Sequence, residues 1–553
     1  MEKEYIVVLN HDVDVEQFHQ EMKDVTGSGV IPNREVVVAN ERPGSKRQFN
    51  YMLTFDEADW LRKDSRVAGV TLKNNPFVIN DVSAVRTSLT FNKTVNVDNN
   101  YSNWGLVRSN TRDNPFDLSG ELQEQDNKYN YINSGENVDV VVMDTGIQVD
   151  HPEFLDKDGN SRIQQIDWPS AAGLPNLTQP ANFYEDLHGH GTHVASTIAG
   201  LNYGWAPGAK IYAMTINLVG VSNGFEPLDG LELILNWHRN KGNNRPTIVN
   251  MSWGQSSLLR SQYVNLFRVT YRNNDIDWNL DETSRANLWR TTGLLDMNAI
   301  ITSENPNNYT LNDITFPSRN SAYDDLIDEM IDEGMHVCIS SGNLPVKHEA
   351  TNGPDWDNYV VISAKTNNNP YGILVGNYYL FEYHRGGSPH SDRAIKVDSV
   401  GFGLGVFEDG STIELTASYN TRGPGVDIMA PGNGIIAGLP NTPNNVGADR
   451  ISTYPFNSNY KIGLLNGTSM ACPQVAGVAT LPLGVDPNLT PKELKDRILV
   501  DSTKNAVYDT ISAVDYNEIG LSLMGQPNRV LYNRFGQTST VGTFENIGYV
   551  NIE

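Results

Sequence analysis

Short apolar runs separated by small and polar turns set the rhythm of the chain from about residue 135 onward. Val138-Asp139-Val140-Val141-Val142-Met143 is almost continuously apolar, the pattern of a parallel strand buried on both faces. Ile248-Val249-Asn250-Met251 and Met335-His336-Val337-Cys338-Ile339 repeat it. Helical stretches lie among these runs. His190 to Ala199 is one. Ala471, Val475, Ala476, Val478 and Ala479 after Ser469 predict another, buried, with Pro473 in its first turn, where a missing N–H costs little. Strands alternating with helices predict an α/β fold, a mostly parallel sheet with helices on both faces.

The first 75 residues follow a different order. Tyr5–Leu9 reads as a strand and Val15–Val25 as an amphipathic helix. Glu35–Ala39 and Phe49–Thr54 read as two more strands, Glu57–Arg62 as a short helix and Val67–Leu72 as a last strand. That β-α-β-β-α-β sequence predicts a small α+β ferredoxin-like unit over residues 1–75. A polar, asparagine-rich linker over 76–103 separates it from a large unit over 104–535, and 536–553 forms a tail. The large unit carries more chain than its strands and helices require. The excess falls near 256–320, expected to have its own small fold, and near 344–393.

Candidate chemistry sits where these elements end. Asp144-Thr145-Gly146 closes the first strand, at the carboxyl end where open α/β sheets place ligands. His190 opens the first helix. Ser469, in Asn466-Gly467-Thr468-Ser469-Met470-Ala471, lies at the mouth of the second, where unpaired N–H groups and partial positive charge stabilise an anion. A nucleophilic serine needs a base to take its proton and a carboxylate to orient that base. Taken singly, Asp144 is an ordinary strand-end aspartate and Ser469 an ordinary helix cap. His188, His190 and His193 could suggest a metal, but nothing supplies the rest of a zinc site, and His193 reads as a buried structural histidine. Cys338 and Cys472 read as small buried hydrophobes, with a redox role the lesser reading.

Asp144-Thr145-Gly146, His190-Gly191-Thr192-His193 and Gly467-Thr468-Ser469-Met470-Ala471 resemble, in that order, the three signatures of subtilisin-like serine peptidases, the subtilases. The resemblance implies Ser469 as nucleophile, His190 as general base and acid, and Asp144 as the group orienting the imidazole. Ser340-Ser341-Gly342-Asn343 resembles the family's oxyanion segment, which makes Asn343 the side-chain donor to the tetrahedral intermediate. Ser252-Trp253-Gly254 resembles the strand that pairs with an extended peptide, with Ser340, Ser341 and Gly342 also bordering substrate and Val221–Gly224 a candidate opposite edge. Trp253 stands where a smaller aliphatic residue is usual, which suggests a partly filled pocket. The N-terminal unit resembles the family's inhibitor-like pro-domain, and the implied protein is an endopeptidase made as an autoprocessed zymogen. The rival reading is a silent subtilase fold serving as a binding or virion structural protein with its pro-domain retained.

Composition narrows the partners. Lys+Arg 41 against Asp+Glu 66 gives a net charge of −25, which disfavours nucleic acid and anionic membrane; peptides or proteins as substrates are what the resemblance implies. Two cysteines cannot make a disulfide framework. Met1-Glu2-Lys3-Glu4-Tyr5 runs straight into a strand without a signal-peptide core, so an intracellular or virus-encoded enzyme is expected over a secreted one. The calcium loop usual after the histidine helix reads as deleted at Ala199–Pro207. No cofactor and no tight metal site is therefore expected there, Glu153 being the one carboxylate left to match it; weak calcium binding elsewhere stays open.

Overall fold

A computed structural model describes the chain except residues 1, 12, 25–33, 35, 42–44, 46, 74–76, 80–103, 115–132, 157, 219–220, 260–263, 273, 276–292, 294–313, 365–372, 376–377, 407–411, 442, 444–445, 510–521 and 535–553. Its centre is a ten-stranded sheet. Asp139–Asp144 lies between Lys210–Thr215 and Thr247–Met251 and is parallel to both. His336–Ser340, Ile395–Val406 and Ile428–Pro431 continue the parallel order on the Thr247–Met251 side. Strand order therefore reverses at Asp139–Asp144, the switch point where an open α/β sheet leaves a crevice at its carboxyl edge.

The alternating side chains of that strand feed two cores. Val140 and Val142 point into one, with Val194, Ile198, Val475 and Ala479 from the helices His190–Ala199 and Thr468–Val485. Val141 and Met143 point into the other, with Leu231, Leu235, Leu326 and Met330 from the helices Pro227–Asn240 and Ser321–Asp332. A strand covered on both faces has no polar side to show, which is why its sequence reads as an unbroken apolar run.

The N-terminal residues form a four-stranded antiparallel sheet in the order Val38–Glu41, Gln48–Leu53, Lys3–Leu9, Val67–Leu72. Val7, Leu9, Phe18, Tyr51 and Leu61 make its own core with the helices Val15–Lys23 and Phe55–Leu61. Ile6 and Val8, on the opposite face, join the cluster that holds Trp253, Ala322 and Tyr323. The sheet thus rests on the Ser321–Asp332 helix. Gln48 Nε2 donates to the Ala322 carbonyl at 2.7 Å, Arg47 pairs with Asp325, and Ser45 Oγ donates to Glu329 at 3.2 Å.

The described parts of the two inserts are joined to each other. Val264–Tyr271 of the first pairs antiparallel with Tyr359–Ala364 of the second, which pairs in turn with Tyr378–Glu382. A short hairpin alone is marginal in water, and sharing one five-stranded sheet closes edges that each insert would otherwise leave open.

Candidate active site

Three neighbouring strand ends build the site. Met143 is in register with Met251, and Ile339 with Met251 on the other side, so Asp144, Ser252 and Ser340 follow side by side at the carboxyl edge. Asp144 Oδ1 lies 2.7 Å from His190 Nδ1, with both side chains about 1% exposed. The same oxygen accepts the Thr145 backbone N–H at 2.8 Å. The loop and the helix mouth touch closely: a Cβ on Gly191 would lie 2.2 Å from the Gly146 carbonyl oxygen. Only glycine fits there, and this close approach is what lets the imidazole reach the carboxylate.

Ser469 is held by Ser252 in a reciprocal pair. Its Oγ donates to the Ser252 carbonyl at 2.8 Å, and Ser252 Oγ donates to the Ser469 carbonyl at 3.0 Å. The second bond has a cause in sequence. Pro473 is the sixth residue of the Thr468–Val485 helix rather than part of its first turn. Lacking an N–H, it leaves the Ser469 carbonyl without its i+4 donor, and the Ser252 hydroxyl takes that place. The expected position of Pro473 is corrected accordingly.

Asn343 lies just beyond His336–Ser340. Its Oδ1 accepts the Thr468 N–H at 3.0 Å and the Thr468 hydroxyl at 2.9 Å. A backbone N–H can only donate, so the amide oxygen must face Thr468 and the nitrogen must face away. Asn343 Nδ2 is buried with no hydrogen-bond partner. A buried donor left unsatisfied costs about 1–3 kcal/mol, so this group is open to an acceptor supplied from outside the protein.

Sequence reasoning missed Asp186. Its carboxylate accepts five bonds, from Thr145 Oγ1, the His188 and Gly189 N–H groups, and the N–H and Oγ1 of Thr192. It thereby ties the Asp144 loop to the mouth of the His190 helix. Burial raises its pKa, opposed by the hydrogen bonds from Thr192, Gly189 and Thr145. An aspartate four residues before a helix-opening histidine was the available signal. Burial pushes His188 down to about 4 and His193 down to about 3, so both are neutral near pH 7. His193 Nε2 faces the carbonyls of Ile435 and Gly463 at 3.0 and 3.2 Å, a structural role. Burial likewise raises Cys338, up to about 12, and Cys472, which keeps both as thiols.

The expected groove residues divide. Trp253 is wholly buried, edge-on to Tyr323 at 6.0 Å, and fills the cluster beneath the N-terminal sheet rather than part of an open pocket. Ser340 and Ser341 are also buried; the Ser341 N–H bonds the Val397 carbonyl, and Gly342 N–H donates to Thr468 Oγ1 at 3.2 Å. Val221–Gly224 forms no strand, and Asn223 Nδ2 donates to the carbonyls of Asn182 and Glu185. The edge of Trp253–Gln255 is occupied. Phe77–Ile79 pairs antiparallel with it, Ile79 opposite Trp253 and Phe77 opposite Gln255.

Glu153 is taken up by protein donors, among them Asn202 Nδ2 at 2.9 Å, the Tyr203 N–H at 3.1 Å and the Tyr454 hydroxyl at 2.9 Å. Among the described residues no three His, Cys, Asp or Glu side chains gather into a group that could hold a metal.

A family model described as "Subtilase family" matches residues 135–517, more than half of the chain and a range that includes Asp144, His190, Asn343 and Ser469. The chain belongs to the subtilases. It is 31% identical over 152 residues to the extracellular serine proteinase of Thermus sp. (strain Rt41A), covering 27% of this chain and 30% of that one. It is 24% identical over 423 residues to the sexual differentiation process putative subtilase-type proteinase isp6 of Schizosaccharomyces pombe, covering 76% of this chain and 59% of the relative. This subtilase therefore spans less than two thirds of the length of either. Among solved structures it is similar to fervidolysin from Fervidobacterium pennivorans, a keratinolytic enzyme related to subtilisin, at 16% identity and a TM-score of 0.48, over 98% of this chain and 62% of that one. No helix among the described residues of this subtilase is long and apolar enough to cross a membrane.

Proposed function

We propose that this subtilase is a serine endopeptidase that hydrolyses peptide bonds through an acyl-enzyme and carries its N-terminal unit as an intramolecular inhibitor. The observation that carries the reading is the buried 2.7 Å contact of Asp144 with His190, one strand from a serine clasped by Ser252. Ser469 Oγ exchanges its Ser252 acceptor for His190 Nε2 and attacks the scissile carbonyl. His190 takes the proton, and Asp144 fixes the tautomer that leaves Nε2 able to accept it. Asn343 Nδ2, together with the N–H groups at the start of the Ser469 helix, receives the oxyanion. His190 then protonates the leaving amine, and water, activated by the same imidazole, releases the acyl group.

Substrates on this reading are extended peptides or protein segments that pair with Trp253–Gln255 through main-chain hydrogen bonds. The net charge of −25 disfavours nucleic acid and anionic membrane. No cofactor is invoked, and Glu153, already supplied with protein donors, is proposed to hold no tight calcium.

Labelling with a fluorophosphonate and hydrolysis of a denatured protein test the reading. Label is expected on Ser469, with loss of both label and hydrolysis in Ser469→Ala. Chain freed of residues 1–79 that takes no label and cuts no substrate would instead favour a silent binding scaffold.

A further inference from the structure

Asn343 offers a side-chain donor, yet its own main chain is not what holds it in place. Among the described residues no hydrogen bond reaches the Asn343 N–H or carbonyl. Gly342 before it has φ +113°, a conformation that glycine takes without strain. The residues on both sides are tied instead to one residue of a distant segment, Thr421, which lies between the strands Thr412–Thr416 and Ile428–Pro431. The Thr421 N–H donates to the Gly342 carbonyl at 2.9 Å. Thr421 Oγ1 donates to the Leu344 carbonyl at 2.6 Å and accepts the Leu344 N–H at 3.3 Å. Thr421 is buried, and its neighbours are gripped in turn. Asn420 Nδ2 donates to the Ser399 carbonyl at 2.6 Å and to Thr416 Oγ1 at 2.9 Å. The buried Arg422 guanidinium donates to the carbonyls of Ala417, Ser418 and Ser522 at 3.0, 2.8 and 3.0 Å.

Resting on the peptidase reading above, we propose that Thr421 is a positioning residue for the reaction: it clamps the main chain on both sides of Asn343 and so keeps the amide nitrogen aimed at the forming oxyanion. Thr421 acts through Asn343 alone. Two holds are needed because each leaves a freedom. Thr468 takes the amide oxygen at 3.0 and 2.9 Å, which sets the end of the side chain that faces away. The backbone carrying that side chain is still free to shift, and a reacting or stabilising group misplaced by about 1 Å can cost on the order of 100-fold in rate. The clamp removes that freedom. It uses one hydroxyl as donor and acceptor at once, which valine, of nearly the same shape, cannot do. The two holds also belong to different elements. Thr468 belongs to the helix that carries Ser469, and Thr421 to a loop bonded back to the sheet through Ser399, so donor and serine share one frame.

The test measures kcat and KM for a chromogenic peptide, and the rate of fluorophosphonate labelling, with the full chain. Thr421→Val is expected to lower kcat about 10- to 100-fold with KM little changed, and to slow labelling by a similar factor. Thr421→Ser, which keeps the hydroxyl, should stay close to wild type. The deciding comparison places Thr421→Val in an Asn343→Ala chain. There it should cost little further in kcat, because the group it positions is already gone and coupled residues do not add. An equal fold-loss with and without Asn343 overturns the assignment. So does an unchanged kcat, a rise in KM alone, or a loss in Thr421→Ser as large as in Thr421→Val. If Thr421→Val does not fold, Thr421→Ala is measured in its place; if neither folds, Thr421 serves the fold and the assignment fails. All of these outcomes leave the peptidase reading standing as long as wild type takes label on Ser469. Wild type with neither label nor hydrolysis removes that reading and this inference with it.

Discussion

The centre around Ser469 and the seam beneath the N-terminal sheet are both buried, yet they are held by different kinds of contact. In the centre, side chains bond to main-chain groups of the same sheet or to residues fixed by it: Asp186 to the His188, Gly189 and Thr192 N–H groups, Asn343 to Thr468, Ser252 and Ser469 to each other's carbonyls. At the seam, the main-chain pairing among the described residues spans Phe77–Ile79, Ile6 and Val8 join the cluster of Trp253, Ala322 and Tyr323, and the side-chain contacts include Arg47 with Asp325, Gln48 with Ala322 and Asp325, Ser45 with Glu329 and Thr71 with Ser321. Loss of the first set would require unfolding; loss of the second requires only parting two folded surfaces. That contrast is what the inhibitor role proposed above for the N-terminal unit would require.

The contrast can be broken most sharply at Ser469. Ser469→Ala should lower kcat about a million-fold, the scale known for subtilisin, and leave the melting temperature within a few degrees; a melting shift as large as a core deletion would mean Ser469 is structural. Next comes the donor left unpartnered. Asn343→Ala should reduce kcat about 100- to 1000-fold, again a scale set by subtilisin, with KM little changed. A rise in KM at constant kcat would show that the amide binds ground-state substrate instead.

At the seam the expected effects are smaller and fall on binding alone. Arg47→Ala should weaken inhibition by the cleaved N-terminal fragment by about 2 kcal/mol, read as a Ki roughly 30-fold higher. The loss stays modest because Asp325, pushed up to about 7 by burial, can take a proton when its partner goes. The kcat/KM of enzyme freed of the fragment should not move; if it does, centre and seam are coupled.

Acid sharpens the comparison from the other side. His193 titrates at about 3 in the fold against 6.5 when free. Below 6.5 the unfolded chain binds a proton that the folded one refuses, so the stability tied to His193 is complete above 6.5 and is lost as pH falls toward 3, at about 1.4 kcal/mol per pH unit. His193→Gln should show a shallower fall in melting temperature between pH 7 and 5 than wild type. The smallest effect expected is that of EDTA, which should leave the melting temperature unchanged, since protein donors already serve Glu153; a drop of several degrees would reveal a calcium site.

What the sequence disclosed and what it hid follow the same division. Asp144, His190, Ser469 and Asn343 could be picked out as candidates because their chemistry demands particular residue types at a strand end or a helix mouth, and the structure sets Asp144 against His190 and Asn343 against Thr468. The helices and strands of the N-terminal unit were legible for the same local reason, though its second strand runs Val38–Glu41 rather than Glu35–Ala39. Partners distant in sequence were not legible. Nothing in Val264–Tyr271 announces Tyr359–Ala364, and no periodicity places Phe77–Ile79 on Trp253–Gln255. Trp253 was read as pocket lining because its burial depends on Tyr323 and on the N-terminal residues Ile6 and Val8, more than 200 positions upstream.

The seam also has a consequence for dilution. While Phe77–Ile79 is joined to the rest of the chain, it meets its strand at an effective concentration set by the linker, on the order of millimolar for a short one, and no dilution lowers it. Were the connection cut, the same contacts would become an ordinary two-body equilibrium that weakens as the molecules spread apart. A single hydrolysed bond would thus turn a restraint that ignores concentration into one that reports it.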